Sequence, residues 1–227
     1  MSGRLTLLAT PIGNLADLTL RGIDALKACD VVVCEDTRVT SRLLVHLGLQ
    51  KPLLSVHVHS DDARIAQVLD RIAAGEHVVY ACDAGTPNMN DPGGKLAAAA
   101  YERGLAVEPL PGASALTVAI SACGFPMESF AYEGFVPHKK GRETFFRAVS
   151  GRREPTVFLE STHRMEKTME GLANALDPER VVFVGRELTK LHETLYRGTV
   201  AAVRDALART SWKGEFIVVV GPSYAPR

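Results

Sequence analysis

The stretch Asp83-Ala84-Gly85-Thr86-Pro87-Asn88-Met89-Asn90-Asp91-Pro92-Gly93-Gly94 sets two prolines, three glycines and two acids directly after a short apolar run. Such a composition costs folding stability unless the backbone must approach something closely. Pro109-Leu110-Pro111-Gly112-Ala113-Ser114-Ala115 is a second small-residue loop, and it opens an expected helix. Together the two could line a tight, dry cleft with backbone. A cleft of that kind suits a sulfonium methyl donor, because carbonyl oxygens and an acid hold its positive charge before reaction and the charge disappears in the transition state. A phosphate would instead want a run of free N–H donors beside a lysine, which neither loop has. Either loop alone could be ordinary punctuation.

Two further stretches carry polar groups in the same manner. Thr10-Pro11-Ile12-Gly13-Asn14-Leu15 follows the first apolar run, and Glu35-Asp36-Thr37-Arg38 follows the second, about where a dinucleotide fold places its ribose-binding acid. Only one glycine stands in the first stretch, so the GxGxxG turn is missing and a pyrophosphate site is not expected. A plain tight turn at Pro11 and Gly13 is the alternative. His57 and His59 alternate and would share one face of a strand, which could suggest a metal, yet no third ligand stands nearby and no metal is expected. Cations gather in His138-Lys139-Lys140-Gly141-Arg142, with Arg147 and Arg152-Arg153 beyond, where a helix is expected to begin. They would face either RNA phosphates or water.

Those stretches need elements to hold them. The 227 residues, 46% hydrophobic, suffice for one large α/β domain or two smaller ones. Apolar β-rich runs alternate with helical patterns, as in a parallel sheet flanked by helices. Strands are expected at residues 5–9, 31–34, 78–82 and 106–109, and helices at 18–29, 65–74 and 114–123, with Gly75 and Gly104 at helix C-caps. A second group of strands is expected at 130–135, 156–160, 180–186, 194–199 and 215–221, with helices at 142–149, 164–176 and 200–208. Residues 1–116 then form a domain with a mainly parallel sheet and residues 117–227 a domain with a mixed sheet, with Gly124-Phe125-Pro126 as a hinge. The chemistry-bearing loops fall at strand carboxyl ends, where open α/β sheets bind ligands.

Charge and composition bound the function classes. Net charge is zero, but residues 1–116 hold 10 Lys/Arg against 13 Asp/Glu and residues 117–227 hold 16 against 13. A free-standing binder of bare nucleic acid is usually more positive, so an RNA substrate would need shape or a protein-rich context to help. Cys29, Cys34, Cys82 and Cys123 are too scattered for a CxxC pair and are expected as buried thiols. No apolar run approaches the roughly 20 residues of a membrane span, and the N-terminus lacks an export signal, so a cytoplasmic protein is expected.

The segments Ala9-Thr10-Pro11-Ile12-Gly13-Asn14-Leu15, Cys34-Glu35-Asp36-Thr37-Arg38, Asp83-Ala84-Gly85-Thr86-Pro87 with Asp91-Pro92-Gly93, Pro111-Gly112-Ala113-Ser114-Ala115, Glu133-Gly134-Phe135, Glu160-Ser161-Thr162-His163-Arg164 and Arg186-Glu187-Leu188-Thr189-Lys190-Leu191-His192-Glu193 occur in one order along nearly the whole chain. In that order the sequence resembles the tetrapyrrole methylase superfamily (class III methyltransferases), and within it the enzymes that methylate a cytidine 2′-oxygen in 16S ribosomal RNA. The resemblance implies two α/β domains with the cofactor cleft between them, a homodimer, and S-adenosyl-L-methionine as cofactor. It implies cofactor contacts at Pro11, at Asp83, Ala84, Gly85, Thr86 and Pro87, at Ser114 and Ala115, and on second-domain strands at Leu159, Gly185 and Glu215. The partner would be 16S rRNA or the small ribosomal subunit. Two departures stand out: Met89-Asn90 replaces the family's Ile-Ser before Asp-Pro-Gly, and Val56-His57-Val58-His59-Ser60-Asp61 replaces a Tyr-His-Glu-His-Asn-Glu run.

A ribose hydroxyl attacking a methyl carbon must lose its proton, so alignment should supply most of the rate and a base the rest. Glu35, Arg38, Lys190 and Glu193 are the catalytic candidates, with Asp36 beside them as a further proton acceptor. Glu35 and Arg38 could instead form an internal ion pair, and Arg186, Glu187 and Lys190 a structural network. RNA contacts are expected from Lys139, Lys140, Arg142 and Arg186. Two other readings stand beside this one. A relative acting on a tetrapyrrole or another small acceptor should lack the Glu35–Arg38 and 186–193 motifs, and a non-catalytic cofactor-binding module would keep the fold alone.

Overall fold

The computed structural model describes residues 3–57 and 62–223. The chain divides into two compact units, Met1–Ser114 and Ala115–Arg227. In the first, strands β1 (Arg4–Leu8), β2 (Val31–Cys34), β3 (Leu53–Ser55), β4 (His77–Ala81) and β5 (Ala106–Leu110) form a parallel sheet in the order β3-β2-β4-β1-β5. The continuous run Val31-Val32-Val33-Cys34 is buried along its length, as is β4, which is the pattern of strands covered on both faces. Helices α1 (Leu20–Ala28), α2 (Thr37–His46), α3 (Asp62–Ala73) and α4 (Gly93–Glu102) complete the unit. Pro109 is tolerated inside β5 because β5 is an edge strand. Gly75 and Gly104 have φ of 101° and 67°, the left-handed geometry of a helix C-cap.

Three elements of this unit escape the sequence pattern. Helix α2 begins Thr37-Arg38-Val39-Thr40, whose β-branched residues are poor helix formers, and it is started by the Asp36 carboxylate accepting the Arg38 N–H at 2.8 Å. Helix α4 opens on two glycines and continues into alanines, leaving little contrast between its faces. Strand β3 has three residues, too few for alternation to register.

In the second unit, β6 (Ala131–Phe135), β7 (Thr156–Glu160), β8 (Val181–Arg186), β9 (Thr194–Thr199) and β10 (Phe216–Val220) form a mixed sheet in the order β6-β7-β10-β8-β9. Only β6 and β7 run parallel, and β10 is antiparallel to both neighbours. Helices α6 (Arg142–Gly151), α7 (Met165–Ala175) and α8 (Val200–Arg209) enclose a core in which Phe145 meets Phe146 and Phe158 edge-on at 5.5 and 5.3 Å. Helix α5 (Ala115–Ala122) packs on β10. Gly124-Phe125-Pro126, expected as a hinge, is instead pinned within this unit. The Arg197 guanidinium lies 4.9 Å from the Phe125 ring centre and its Nε donates to the Cys123 carbonyl at 3.0 Å. All four cysteines are free and buried. No described helix is long and apolar enough to cross a membrane.

Candidate functional site

Three loops leave the carboxyl ends of β1, β4 and β5 and are tied to one another. Thr10 and Gly85 exchange backbone hydrogen bonds in both directions, at 2.9 and 3.0 Å, and the Thr10 hydroxyl donates to the Cys82 carbonyl at 2.9 Å. The Thr86 hydroxyl donates to the Ala113 carbonyl at 3.1 Å. Gly85 sits at φ 83°, and a Cβ there would lie 3.2 Å from Ile12 Cγ2 with Ala113 and Ser114 next nearest. A Cβ on Gly112 would lie 2.8 Å from that of Ala9. The structure therefore brings Pro11, the Asp83–Pro87 segment and Ser114, with Ala115 following it at the start of α5, into one backbone-lined corner. Small residues are needed there because the three loops approach too closely for larger ones.

Asp91 shapes the rest of the β4 loop. Its carboxylate accepts from the Tyr80 hydroxyl at 2.9 Å, from the Gly93 N–H at 2.8 Å and from the Met89 N–H at 3.2 Å. Burial first, and then the Asp91 charge, hold Tyr80 far above an ordinary phenol and push the Cys82 thiol up to about 12. Asn88 and Asn90 have φ of 71° and 89°, a conformation asparagine accepts more readily than most residues, and this accounts for the Asn88-Met89-Asn90 sequence.

Beside this corner lies an open cavity of about 460 Å³ bounded by Glu35, Asp36, Arg38, Ser55, His57 and Asp83. Asp83 Oδ1 accepts the Asp36 N–H at 3.1 Å, joining the β2 and β4 loops. The alternative of a Glu35–Arg38 ion pair is not what forms. Arg38 instead grips Asp36 with Nε at 3.0 Å and Nη2 at 2.5 Å, because the start of α2 places residues 36 and 38 within reach of one another. Those side-chain bonds, followed by the Arg38 N–H, lower the Asp36 carboxyl to about 2. Glu35 is half-buried and is left without such a partner among the described residues. Burial, then Asp83, then Asp91 raise its pKa, and His57 works the other way. His57 Nε2 lies 2.9 Å from Ser55 Oγ. His59 lies outside the described residues, and no metal-binding group of His, Cys, Asp or Glu occurs among those described.

The second unit sorts the remaining candidates. Leu159 and Gly185 flank Ile217 in one row across β7, β10 and β8, a row that continues to Phe135 on β6 and Leu195 on β9. Glu215, just before β10, donates its N–H to Glu187 Oε1 at 2.7 Å, while its own carboxylate lies 3.0 Å from Lys190 Nζ. Lys190 also reaches Glu187 at 3.1 Å. Burial alone would lower the Lys190 pKa, but the hydrogen bonds it donates to Glu215 and Glu187 outweigh it and raise it. Lys190 is therefore held as an ammonium, which corrects its candidacy as a proton acceptor. Glu193 is exposed, and its Oε2 accepts the Thr189 N–H at 2.6 Å, closing a turn in which Glu187 and Thr189 both have positive φ.

Two of the expected RNA contacts are also bound within the fold. Arg186 spends its guanidinium on the carbonyls of Lys213 and His192, at 2.6 and 3.0 Å. Arg142 donates to Thr168 Oγ1 at 2.7 Å, lies 5.2 Å from the Phe146 ring centre and 3.7 Å from Glu160. Lys139 and Lys140 remain exposed. The centre of that network, Glu160, is a functional-looking motif residue with a structural place. It is 1% exposed, and meets Arg164 at 2.6 Å, the Ser161 N–H at 2.7 Å and the Thr168 hydroxyl at 2.6 Å. Thr10 and Ser55, which tie the site together, carry no sequence signal of their own beyond the motifs around them.

The family described as Tetrapyrrole (Corrin/Porphyrin) Methylases matches residues 4–204. A protein from Xylella fastidiosa named ribosomal RNA small subunit methyltransferase I is 38% identical over 221 residues, covering 96% of this chain and 81% of its own length. A Thermotoga maritima protein of the same name is 36% identical over 218 residues, covering 96% of this chain and 98% of itself. Among solved structures, the methyltransferase CobJ superposes with a TM-score of 0.71 at 21% identity, over 100% of this chain and 97% of its own. A uroporphyrin-III C-methyltransferase from Thermus thermophilus, solved with S-adenyl homocysteine, gives 0.63 at 19% identity over 96% and 97%.

Proposed function

The chain belongs to the tetrapyrrole methylase family, and from that premise we propose that it is an S-adenosyl-L-methionine-dependent enzyme that methylates the 2′-oxygen of a cytidine ribose in 16S rRNA of the small ribosomal subunit. The observation that carries the reading is the joining of the β1, β4 and β5 loops through Thr10, Gly85, Thr86 and Ala113. Glycines at 85 and 112 keep side chains out of that corner, so backbone can close on a ligand, which fits the cofactor assigned to it. Pro11, the 83–87 loop and the Ser114-Ala115 turn would hold it. Bound there, the cofactor supplies an electrophilic methyl group on a positively charged sulfur. The chain's own part is to fix the acceptor oxygen in line, exclude water and take the ribose proton, with alignment contributing most of the rate.

The name shared by the relatives at 36–38% identity favours RNA over a tetrapyrrole acceptor. The same reading carries a homodimer working in the cytoplasm. Calorimetry with S-adenosyl-L-methionine, followed by methyl transfer to small subunits from an unmethylated strain, tests the assignment. Cofactor binding with transfer to a small tetrapyrrole and none to RNA would overturn it.

RNA docking falls to Lys139 and Lys140. Arg142, Arg147 and Arg152-Arg153 extend the same basic stretch, but Arg142 holds Thr168 and Arg152 pairs with Glu133. Changing Lys139 and Lys140 together to Ala should weaken RNA binding at all sequences, reduce the salt slope by about 2, and leave cofactor affinity unchanged. Filter binding across a salt series reads this directly, and an unaltered slope removes these lysines from the interface.

A further inference from the structure

Of the possible proton acceptors, Glu35, Asp36, Lys190 and Glu193, Glu35 stands in a cavity with its carboxylate uncommitted among the described residues. Asp36 is locked by Arg38, Lys190 by two carboxylates and Glu193 by the Thr189 N–H. Asp36 would have to give up its bond to Arg38 to take a proton, Lys190 already carries one, and Glu193 holds the 187–193 turn through one of its oxygens.

The environment of Glu35 is built on both sides. Ser55 donates its single hydroxyl proton to the Glu35 backbone carbonyl at 2.9 Å, so at 2.9 Å from His57 Nε2 the serine oxygen is left to accept. That assigns the Nε2 proton to His57 and fixes the imidazole at the cavity wall. The groups that act on the Glu35 carboxylate are Asp83 and Asp91 from the β4 loop and His57 from the segment after β3, while the neighbouring Asp36 and Arg38 neutralise one another. Two aspartates favour a protonated Glu35, and an imidazolium at His57 favours the carboxylate.

We infer that Glu35 accepts the proton of the ribose 2′-hydroxyl and that His57, oriented through Ser55, is the positioning residue that sets how readily Glu35 holds that proton. The inference rests on the methyl-transfer reading given above. In the step, the oxygen–carbon bond forms as the sulfur–carbon bond breaks, the electron pair of the broken bond stays on sulfur, and the hydroxyl proton passes to a Glu35 carboxylate oxygen and then to solvent. A cavity of about 460 Å³ accommodates one nucleoside drawn out of the RNA, and its carboxylate rim would repel phosphates, so only the sugar and base of the target enter.

The sign of the His57 effect follows from its charge. Removing it takes away the influence that lowers the Glu35 pKa, so the acidic limb of the rate profile moves to higher pH and the loss is confined to the acidic side of the profile. The test compares the full chain with Glu35→Gln and His57→Gln in two measurements. In kinetics with small subunits, Glu35→Gln should lose about 10²–10⁴-fold in kcat with unchanged cofactor affinity by calorimetry, and His57→Gln should shift the limb as stated. In carboxyl-carbon NMR, Glu35 should titrate above an ordinary glutamate and higher still in His57→Gln. A Glu35→Gln variant that binds cofactor and keeps most of its kcat overturns the base, and a His57→Gln variant slowed equally at every pH overturns the positioning role. A Glu35 titration that is ordinary, or indifferent to His57, overturns the pairing even if methyl transfer proceeds. A raised, His57-dependent Glu35 titration with no transfer to RNA by the unaltered chain would overturn the assigned reaction instead.

Discussion

Gly85→Val is expected to abolish measurable cofactor binding and to reduce methyl transfer by about 10²-fold or more, the scale of loss that accompanies a displacement of roughly 1 Å at a reacting centre. A β-branched residue at φ 83° is strained whatever space surrounds it, at a cost on the order of 1–3 kcal/mol. Its Cβ would also press on Ile12 Cγ2 at 3.2 Å, so that Ile12 must give way or the Gly85–Thr10 bond pair that joins the β1 and β4 loops must stretch. Gly104→Val separates these effects. It shares the left-handed φ, at 67°, but its Cβ would meet nothing within 4 Å. Both variants should lose stability in thermal melts, whereas only Gly85→Val should fail in calorimetry with S-adenosyl-L-methionine. If the two bind the cofactor alike, the corner around Gly85 is not where it sits.

The second large effect concerns stability. Glu160→Ala should cost about 3–5 kcal/mol, against a typical total of roughly 5–15 kcal/mol for a domain. The lost carboxylate has no exposed side-chain surface, and the two guanidiniums facing it, Arg164 and Arg142, are only 14% and 18% exposed, so neither can be fully rehydrated without opening the unit. The Thr168 hydroxyl loses its acceptor at the same time. Denaturant unfolding should show a lower midpoint with an unchanged slope, and Glu160→Gln, which keeps the shape and one oxygen, should fall between. A loss under about 1 kcal/mol would place the value of this cluster no higher than an exposed ion pair.

Glu160 also shows where sequence reading stops. The motif Glu160-Ser161-Thr162-His163-Arg164 has the composition of a catalytic segment, and nothing in its spacing says that the acid is turned inward to hold two arginines. The same limit separates Glu35 from Asp36. Adjacent acids before a helix look alike in sequence, and only the N-cap geometry of α2 decides that Asp36 takes Arg38 while Glu35 faces the cavity. What could be seen in advance was the strand–loop grammar: valine-rich runs buried on both faces, glycine and proline crowded just beyond them, and so the loops after β1, β4 and β5. A run of cations reads as one surface in sequence, whereas Arg142 donates to Thr168 and lies against the Phe146 ring.

The strand order of the first unit has a consequence for how the chain can acquire its structure. β1 is made first but lies between β4 and β5, pairing Arg4 with His77 across 73 positions and Thr6 with Glu108 across 102. On a ribosome it would therefore emerge early and wait, its apolar residues unprotected, until β5, ending at Leu110, had been synthesised. Closure over such long loops is slow compared with pairing of neighbours such as β8 and β9, so the first unit should be the later to assemble and the one more dependent on protection while nascent. The corner proposed for the methyl donor, which needs β1, β4 and β5 side by side, can exist only after that last strand arrives.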